Sequence, residues 1–174
     1  DTLWGSTKAD TIDAGAGADT IYAGAGGDTI DGGAGTDTIV TTAADTAADI
    51  DGTGTGTSTG MVINLGATAV TDAAILGTIS QNISGSISSV GAGQAAYVFN
   101  GSVASNSAQL DTISNVENVT LADGINYVIG TAGANTIVGG TGTDWITSGN
   151  GADTITGGAA ADTITLTETA ANSA

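Results

Sequence analysis

Asp10, Asp19, Asp28 and Asp37 stand nine residues apart, and Asp1 extends the series back by one step. Carboxylates offer two chemistries: proton transfer, which needs a matched pair of groups in a cleft, and coordination of a hard cation, which needs several oxygens gathered at one place. A fixed interval suits the second. Each acid is followed two positions later by an aliphatic residue: Leu3, Ile12, Ile21, Ile30 and Ile39. A second series of the same period runs through Asn126, Asn135, Asp144, Asp153 and Asp162, followed by Val128, Ile137, Ile146, Ile155 and Ile164, and Glu117 with Val119 fits as its first rung. Catalysis finds no support here. The chain has no His, Cys or Arg, its single lysine is Lys8, and Glu117 and Glu168 stand apart from any partner at a recognised spacing. No G-x-S-x-G elbow accompanies the serines, and the glycine-rich loops end in Asp without the lysine of a phosphate cradle.

The element that must position these acids is a turn. Each unit divides into a glycine-rich six, as in Gly32 to Asp37, and a three-residue strand, as in Thr38 to Val40. Glycine permits the positive φ and the close backbone approach of a tight turn. In the strand the middle aliphatic residue points inward and its neighbours outward. Turn, strand, turn, strand makes one winding of 18 residues, so residues 18 apart stack at one inter-strand spacing, about 4.8 Å. Asp1, Asp19 and Asp37 then share one edge, and Asp10 and Asp28 the other. Bare carboxylates at that spacing repel by about 1 kcal/mol in water and about 3 to 4 kcal/mol at an effective dielectric near 20. A dication between windings reverses the sign, taking oxygens from the aspartates and from the turn backbone. Six to eight flexible oxygen ligands suit Ca²⁺ better than Mg²⁺, which demands a tight octahedron.

Composition agrees. One basic residue against 18 acids gives a formal charge of −17, a field that repels nucleic acid and anionic lipid and attracts cations. Hydrophobic residues make up 40% of the 174 but aromatics only 3%, and much of the apolar content is alanine, so a thick core is not expected and another staple is required. Without cysteine, disulfides and thiolate-bound zinc are excluded. No stretch is apolar enough for a membrane span, and no basic and then apolar leader opens the chain. The sequence begins in mid-repeat, which is expected of a piece of something longer.

The units resemble the nonapeptide G-G-x-G-x-D-x-U-x of the repeats-in-toxin, or hemolysin-type calcium-binding, family. Gly32 to Asp37 and Gly139 to Asp144 fit all four fixed positions; Ala14 to Asp19, Ala23 to Asp28 and Ser148 to Asp153 lack only the first glycine. Ile113 to Ile146 is similar to the lead-in such arrays carry. The resemblance implies an all-β, right-handed parallel β-roll that folds on binding Ca²⁺, in proteins exported by type I secretion. It also implies the metal-binding set: Asp1, Asp10, Asp19, Asp28, Asp37, Asn135, Asp144, Asp153 and Asp162, with Gly15, Gly17, Gly24, Gly26, Gly33, Gly35, Gly140, Gly142, Gly149 and Gly151 shaping the turns. Pairs 18 apart correspond to roughly three to five ions. Weaker or missing ions are expected at Gly5 to Asp10, which carries Lys8; at Gly130 to Asn135, where an amide replaces the carboxylate; and at Gly157 to Asp162, where Ala160 replaces a glycine.

Four segments are expected: a first calcium-binding array over 1–42, an intervening β-rich insert or cap over 43–116, a second array over 117–165 and a tail over 166–174. In the insert, Met61 to Ala67, Gly77 to Val90 and Ala95 to Gly101 are strand-like, with a disordered linker as the alternative. Outward residues give Trp4, Tyr22 and Val40 one face of the first array, opposite Asp13 and Asp31. In the second, Tyr127, Ile129 and Trp145 lie opposite Thr136, Val138, Thr154 and Thr156. Such apolar stripes invite cover by the insert or contact with another subunit or the parent protein. Asp45 to Asp51 and the tail are candidate caps for the open ends.

The function expected is that of a structural, non-enzymatic calcium-binding module of a secreted bacterial surface protein, of surface-layer or adhesin type, at the cell surface or outside it. The alternative is the C-terminal folding and type I secretion module of an exported enzyme or toxin. Expected partners are Ca²⁺ and other copies of the chain or the rest of a longer protein, with no nucleic acid and no membrane insertion. Ice binding through outward threonines is disfavoured because Thr154 to Thr156 and Thr163 to Thr165 fall on opposite faces.

Overall fold

A computed structural model describes residues 1–24, 26–42, 57–69, 91–100 and 110–167. Among them every regular element is a strand. The first array supplies β1 (Thr2–Ser6), β2 (Thr11–Asp13), β3 (Ala16–Gly17), β4 (Thr20–Gly24), β5 (Thr29–Asp31), β6 (Ala34–Gly35) and β7 (Thr38–Val40). The middle supplies β8 (Thr57–Asn64), β9 (Gln94–Asn100) and β10 (Leu110–Ser114). The second array supplies β11 (Asn118–Thr120), β12 (Tyr127–Ile129), β13 (Thr136–Val138), β14 (Trp145–Thr147), β15 (Thr154–Thr156) and β16 (Thr163–Thr165).

Apart from β3 and β6, which pair with each other in the turns, the strands fall in two sheets, because each six-residue turn reverses the chain. One sheet is parallel throughout, in the order β1-β4-β7-β11-β13-β15. Its register steps by 18 within each array, with Leu3 opposite Ile21, Ile21 opposite Ile39 and Ile137 opposite Ile155. At the junction Ile39 pairs with Val119, so the second array resumes where the first stops. Both arrays therefore belong to one continuous roll. The facing sheet runs β16-β14-β12-β8-β9-β10-β5-β2. Here β8 and β9 form an antiparallel pair inserted between rungs, with β9 also antiparallel to β10.

Inward residues form a narrow column two side chains wide. Ile12, Ile21, Ile30, Ile39, Ile113, Val119, Val128, Ile137 and Ile146 are buried in one cluster, which Met61, Ile63 and Ala95 of the inserted pair join. Met61 to Ala67 and Ala95 to Gly101 thus begin in real strands. Gly77 to Val90, the cap candidate Asp45 to Asp51 and the tail beyond Thr167 lie outside the described residues.

The outward stripes lie on opposite faces. Trp4 stacks on Tyr22 with ring centroids 3.8 Å apart and planes 2° from parallel, and Trp4 stays 69% exposed. On the other sheet Tyr127 pairs in register with Val62, and both are buried. Asn64, beside them, donates from Nδ2 to the carbonyls of Thr68 and Gly91, so the loops flanking β8 and β9 fold over this part of the stripe.

Candidate metal sites

The turns stack along two edges, each carrying a column of oxygen-bearing side chains. Backbone N–H groups donate across one winding to the next carboxylate: Asp10 to Asp28, Asp19 to Asp37 and Asp28 to Asp111, each at 2.9 Å. Asp37 N–H donates to Glu117 at 2.9 Å, Asn126 N–H to Asp144 at 2.9 Å, and Asn135 N–H to Asp153 and Asp144 N–H to Asp162 at 3.0 Å. The amino group of Asp1 pairs with Asp19. One column is thus Asp1, Asp19, Asp37, Glu117, Asn135 and Asp153, and the other Asp10, Asp28, Asp111, Asn126, Asp144 and Asp162. In Asp28, Asp37, Asp111, Asp144, Asp153 and Asp162 the backbone N–H is held by Oδ1 rather than Oδ2.

At three rungs Oδ2 takes part in no hydrogen bond. Asp19, Asp37 and Asp144 are buried, and the Oδ2 atom of each has no hydrogen-bond partner. A buried carboxylate without a counter-charge costs several kcal/mol, and the ion pair of Asp1 with Asp19 is the one ion pair among the described residues. Other oxygens lie beside the orphans. Asp144 Oδ2 and the carbonyl oxygen of Gly157 lie 2.5 and 2.6 Å from the point a Cβ on Gly139 would occupy. Asp37 Oδ2 lies 2.9 Å from the equivalent point on Gly32, and the carbonyl oxygen of Asn115 lies closer still to that point. A carboxylate oxygen and a carbonyl oxygen gathered around one turn suit a hard dication. Consistent with that donor set, no three acidic side chains cluster among the described residues.

The glycines make this approach possible. Gly33 and Gly35 hold φ at +87° and +148°, and a Cβ on either would strike the carbonyl of Gly15 or Gly17 in the winding beneath. Gly15 and Gly17, Gly24 and Gly26, and Gly149 and Gly151 hold positive φ in the same way, as does Gly140; Gly142 instead sits hard against the carbonyl of Gly124. Ala160 takes the glycine place in its turn with φ at 97°, strained for a residue with a Cβ. Ala160→Gly is expected to stabilise the protein by about 0.5 to 1 kcal/mol after the entropy cost of glycine is subtracted. Thermal unfolding would rise by about 1 to 4 °C, and an unchanged or lower midpoint would contradict this.

Other rungs are satisfied locally. Asp10 Oδ2 accepts from the N–H and the hydroxyl of Ser6 at 2.6 and 2.8 Å. Asn135 Oδ1 accepts from the N–H and hydroxyl of Thr131 at 2.9 and 3.2 Å. Both turns carry a hydroxyl residue four positions before the acid or amide, where Gly33 and Gly140 stand in the fully matching turns. The oxygen that is orphaned elsewhere meets protons here. Asp153 and Asp162 each hold the preceding winding through Oδ1 and are half-buried.

One column member escapes the nine-residue period. Asp111 is buried between the Asp28 winding and β9, with Thr112 and Ile113 in register with Thr29 and Ile30. The triplet Asp-Thr-Ile, shared with Asp10 to Ile12, Asp19 to Ile21, Asp28 to Ile30 and Asp37 to Ile39, marks it in the sequence. Its distance to Glu117 is six residues rather than nine, because Asn115 to Glu117 replaces the usual turn with a three-residue one, in which Asn115 takes φ of 51°.

Burial pushes the Asp111 carboxyl up to about 8, partly offset by the Asp28 N–H and reinforced by the Asp28 charge; burial likewise raises Asp144 to about 6 against its hydrogen bonds from Asn126. Folded values above the unfolded value of 3.8 mean that the folded chain binds more protons. Without metal, stability therefore falls as pH rises through roughly 4 to 8, and is greater on the acid side. Chelated protein is expected to gain β structure as pH is lowered from 8 to 5, followed by circular dichroism. Loss of structure over that range would overturn the assignment.

The described residues contain no helix long and apolar enough to cross a membrane. Residues 4–39, 122–155 and 129–164 match the family model of the RTX calcium-binding nonapeptide repeat, which spans four copies of the unit. Comparison with curated proteins and with solved structures gives no match.

Proposed function

Since both arrays of this chain are RTX calcium-binding nonapeptide repeats, we propose that it is a calcium-dependent structural module of a secreted bacterial surface protein, of surface-layer or adhesin type. The observation that carries the calcium reading is the set of buried Oδ2 atoms of Asp19, Asp37 and Asp144, each without a partner. Calcium supplies the positive charge that lets two windings share these oxygens. Asp19, Asp37 and Asp144 hold it through Oδ2, together with turn carbonyls such as those of Asn115 and Gly157. Asp28 and the half-buried Asp153 and Asp162 complete a range of roughly three to five ions. Asp10 contributes less, because the N–H and hydroxyl of Ser6 already donate to its Oδ2.

A chain with a single lysine and no arginine meets little calcium in a cytoplasm and stays expanded there by self-repulsion. Outside the cell, metal binding becomes folding free energy. The surface role rests on the Ala-, Thr-, Gly- and Ser-rich composition and the lack of any residue set for catalysis. The exposed Trp4 and Tyr22 face suits contact with another copy or with the remainder of a longer protein, and the insert is proposed as a structural segment of the same roll. Two measurements test this. Equilibrium dialysis with metal analysis should give about three ions or more per chain and none for Mg²⁺ at equal concentration. Electron microscopy in calcium should show ordered assemblies; a strictly monomeric protein would shift the reading to a folding and secretion module.

A further inference from the structure

Asn126 is the second-column residue that follows Asp111, and its surroundings fix its amide. Its Oδ1 accepts the N–H of Met61 at 2.9 Å, so the amide nitrogen must face the other way. There Nδ2 meets four oxygens: the carbonyls of Gly139 at 2.8 Å, Ala122 at 3.3 Å and Gly124 at 3.4 Å, and Asp144 Oδ1 at 3.0 Å. An amide nitrogen carries two hydrogens, so these bonds are shared ones.

The next rung of the same column shows what this replaces. Gly139 lies 13 residues after Asn126, and Gly157 lies 13 after Asp144. At Asp144 the corresponding side-chain atom is Oδ2, which is buried and lacks a hydrogen-bond partner, and both it and the Gly157 carbonyl oxygen lie within 2.6 Å of the point a Cβ on Gly139 would occupy. At one rung the oxygens meet amide hydrogens, and at the next the matching Oδ2 meets none. From this contrast we propose that the Asn126 side-chain amide stands in for a cation, its hydrogens filling the space among the oxygens and closing turns 121–126 and 139–144 without metal. The inference rests on the calcium reading of the neighbouring rungs. Asn126 also holds the inserted β8 through Met61, so one side chain joins the insert to two windings of the second array. The middle of the roll thereby keeps a joint that calcium depletion leaves closed.

Two measurements on the full chain test this. In excess chelator, hydrogen exchange at the backbone N–H groups of Asn126 and Trp145, which bond Asp144 and Asn126 across that joint, is expected to be at least about tenfold slower than at Asp19 and Thr38, which bond across a metal-dependent one. Equal or faster exchange at Asn126 would overturn the proposal. Asn126→Asp turns the donor into an acceptor and should add one calcium per chain to the wild-type count in equilibrium dialysis. An unchanged count would also overturn it, and if this variant does not fold, the exchange result alone decides. Failure of the calcium reading would look different: the wild-type chain would bind no calcium, whatever the exchange pattern.

Discussion

Excess chelator is expected to remove most of the β-sheet circular dichroism signal, and Ca²⁺, but not Mg²⁺ at equal concentration, to restore it. Three costs oppose the metal-free roll. Stacked carboxylates repel by about 1 kcal/mol per pair in water and by more where the dielectric is lower. Glycine loses more backbone entropy on ordering than any other residue, and the chain holds 29 of them. The Oδ2 atoms of Asp19, Asp37 and Asp144 are buried without a hydrogen-bond partner. Against these stands a column of single Ile and Val side chains, at about 1.5 to 3 kcal/mol each when fully buried. The loss should concentrate in 1–40, where the core column meets no inserted strand over most of its length. A full signal in chelator would sink the calcium account.

Asp37→Ala is expected to raise the calcium concentration at the folding midpoint at least about tenfold and to lower the bound count by one, while Asp13→Ala leaves both within error. Asp37 is fully buried, its Oδ1 holds the Asp19 N–H at 2.9 Å, and its Oδ2 has no hydrogen-bond partner. Asp13 points outward from β2 and is exposed. Removing the first loses a metal ligand together with the bond to the winding beneath; removing the second relieves a surface charge. Equal calcium titrations for the two variants would show that the ligand column has been drawn on the wrong residues.

The regular parts of this roll are legible because a nine-residue period imposes its own geometry. Once Asp19 and Asp37 are 18 apart, one inter-strand step fixes their stacking, and Ile21 over Ile39 follows. Where the period is broken, inference from it fails for a physical reason. Asp111 joins the column through register with the Asp28 rung, which depends on where the insert returns to the sheet rather than on any local spacing. Likewise Met61 to Asn64 reads as strand from its β-branched and apolar residues, but nothing in those residues says that β8 lies beside β12. The role of Asn126 is hidden for another reason: asparagine at an aspartate position reads as one charge lost, and only the surrounding carbonyls reveal it as a donor gained.

The inserted pair β8 and β9 lengthens one face of the stack and not the other. Two extra strands add about 10 Å to that side, whereas on the opposite side β7, β11 and β13 follow one another directly. Two layers of unequal strand number therefore meet at the junction of the two arrays, where the insert makes the roll asymmetric. Uninterrupted repeats, with equal layers, would carry no such landmark along their length.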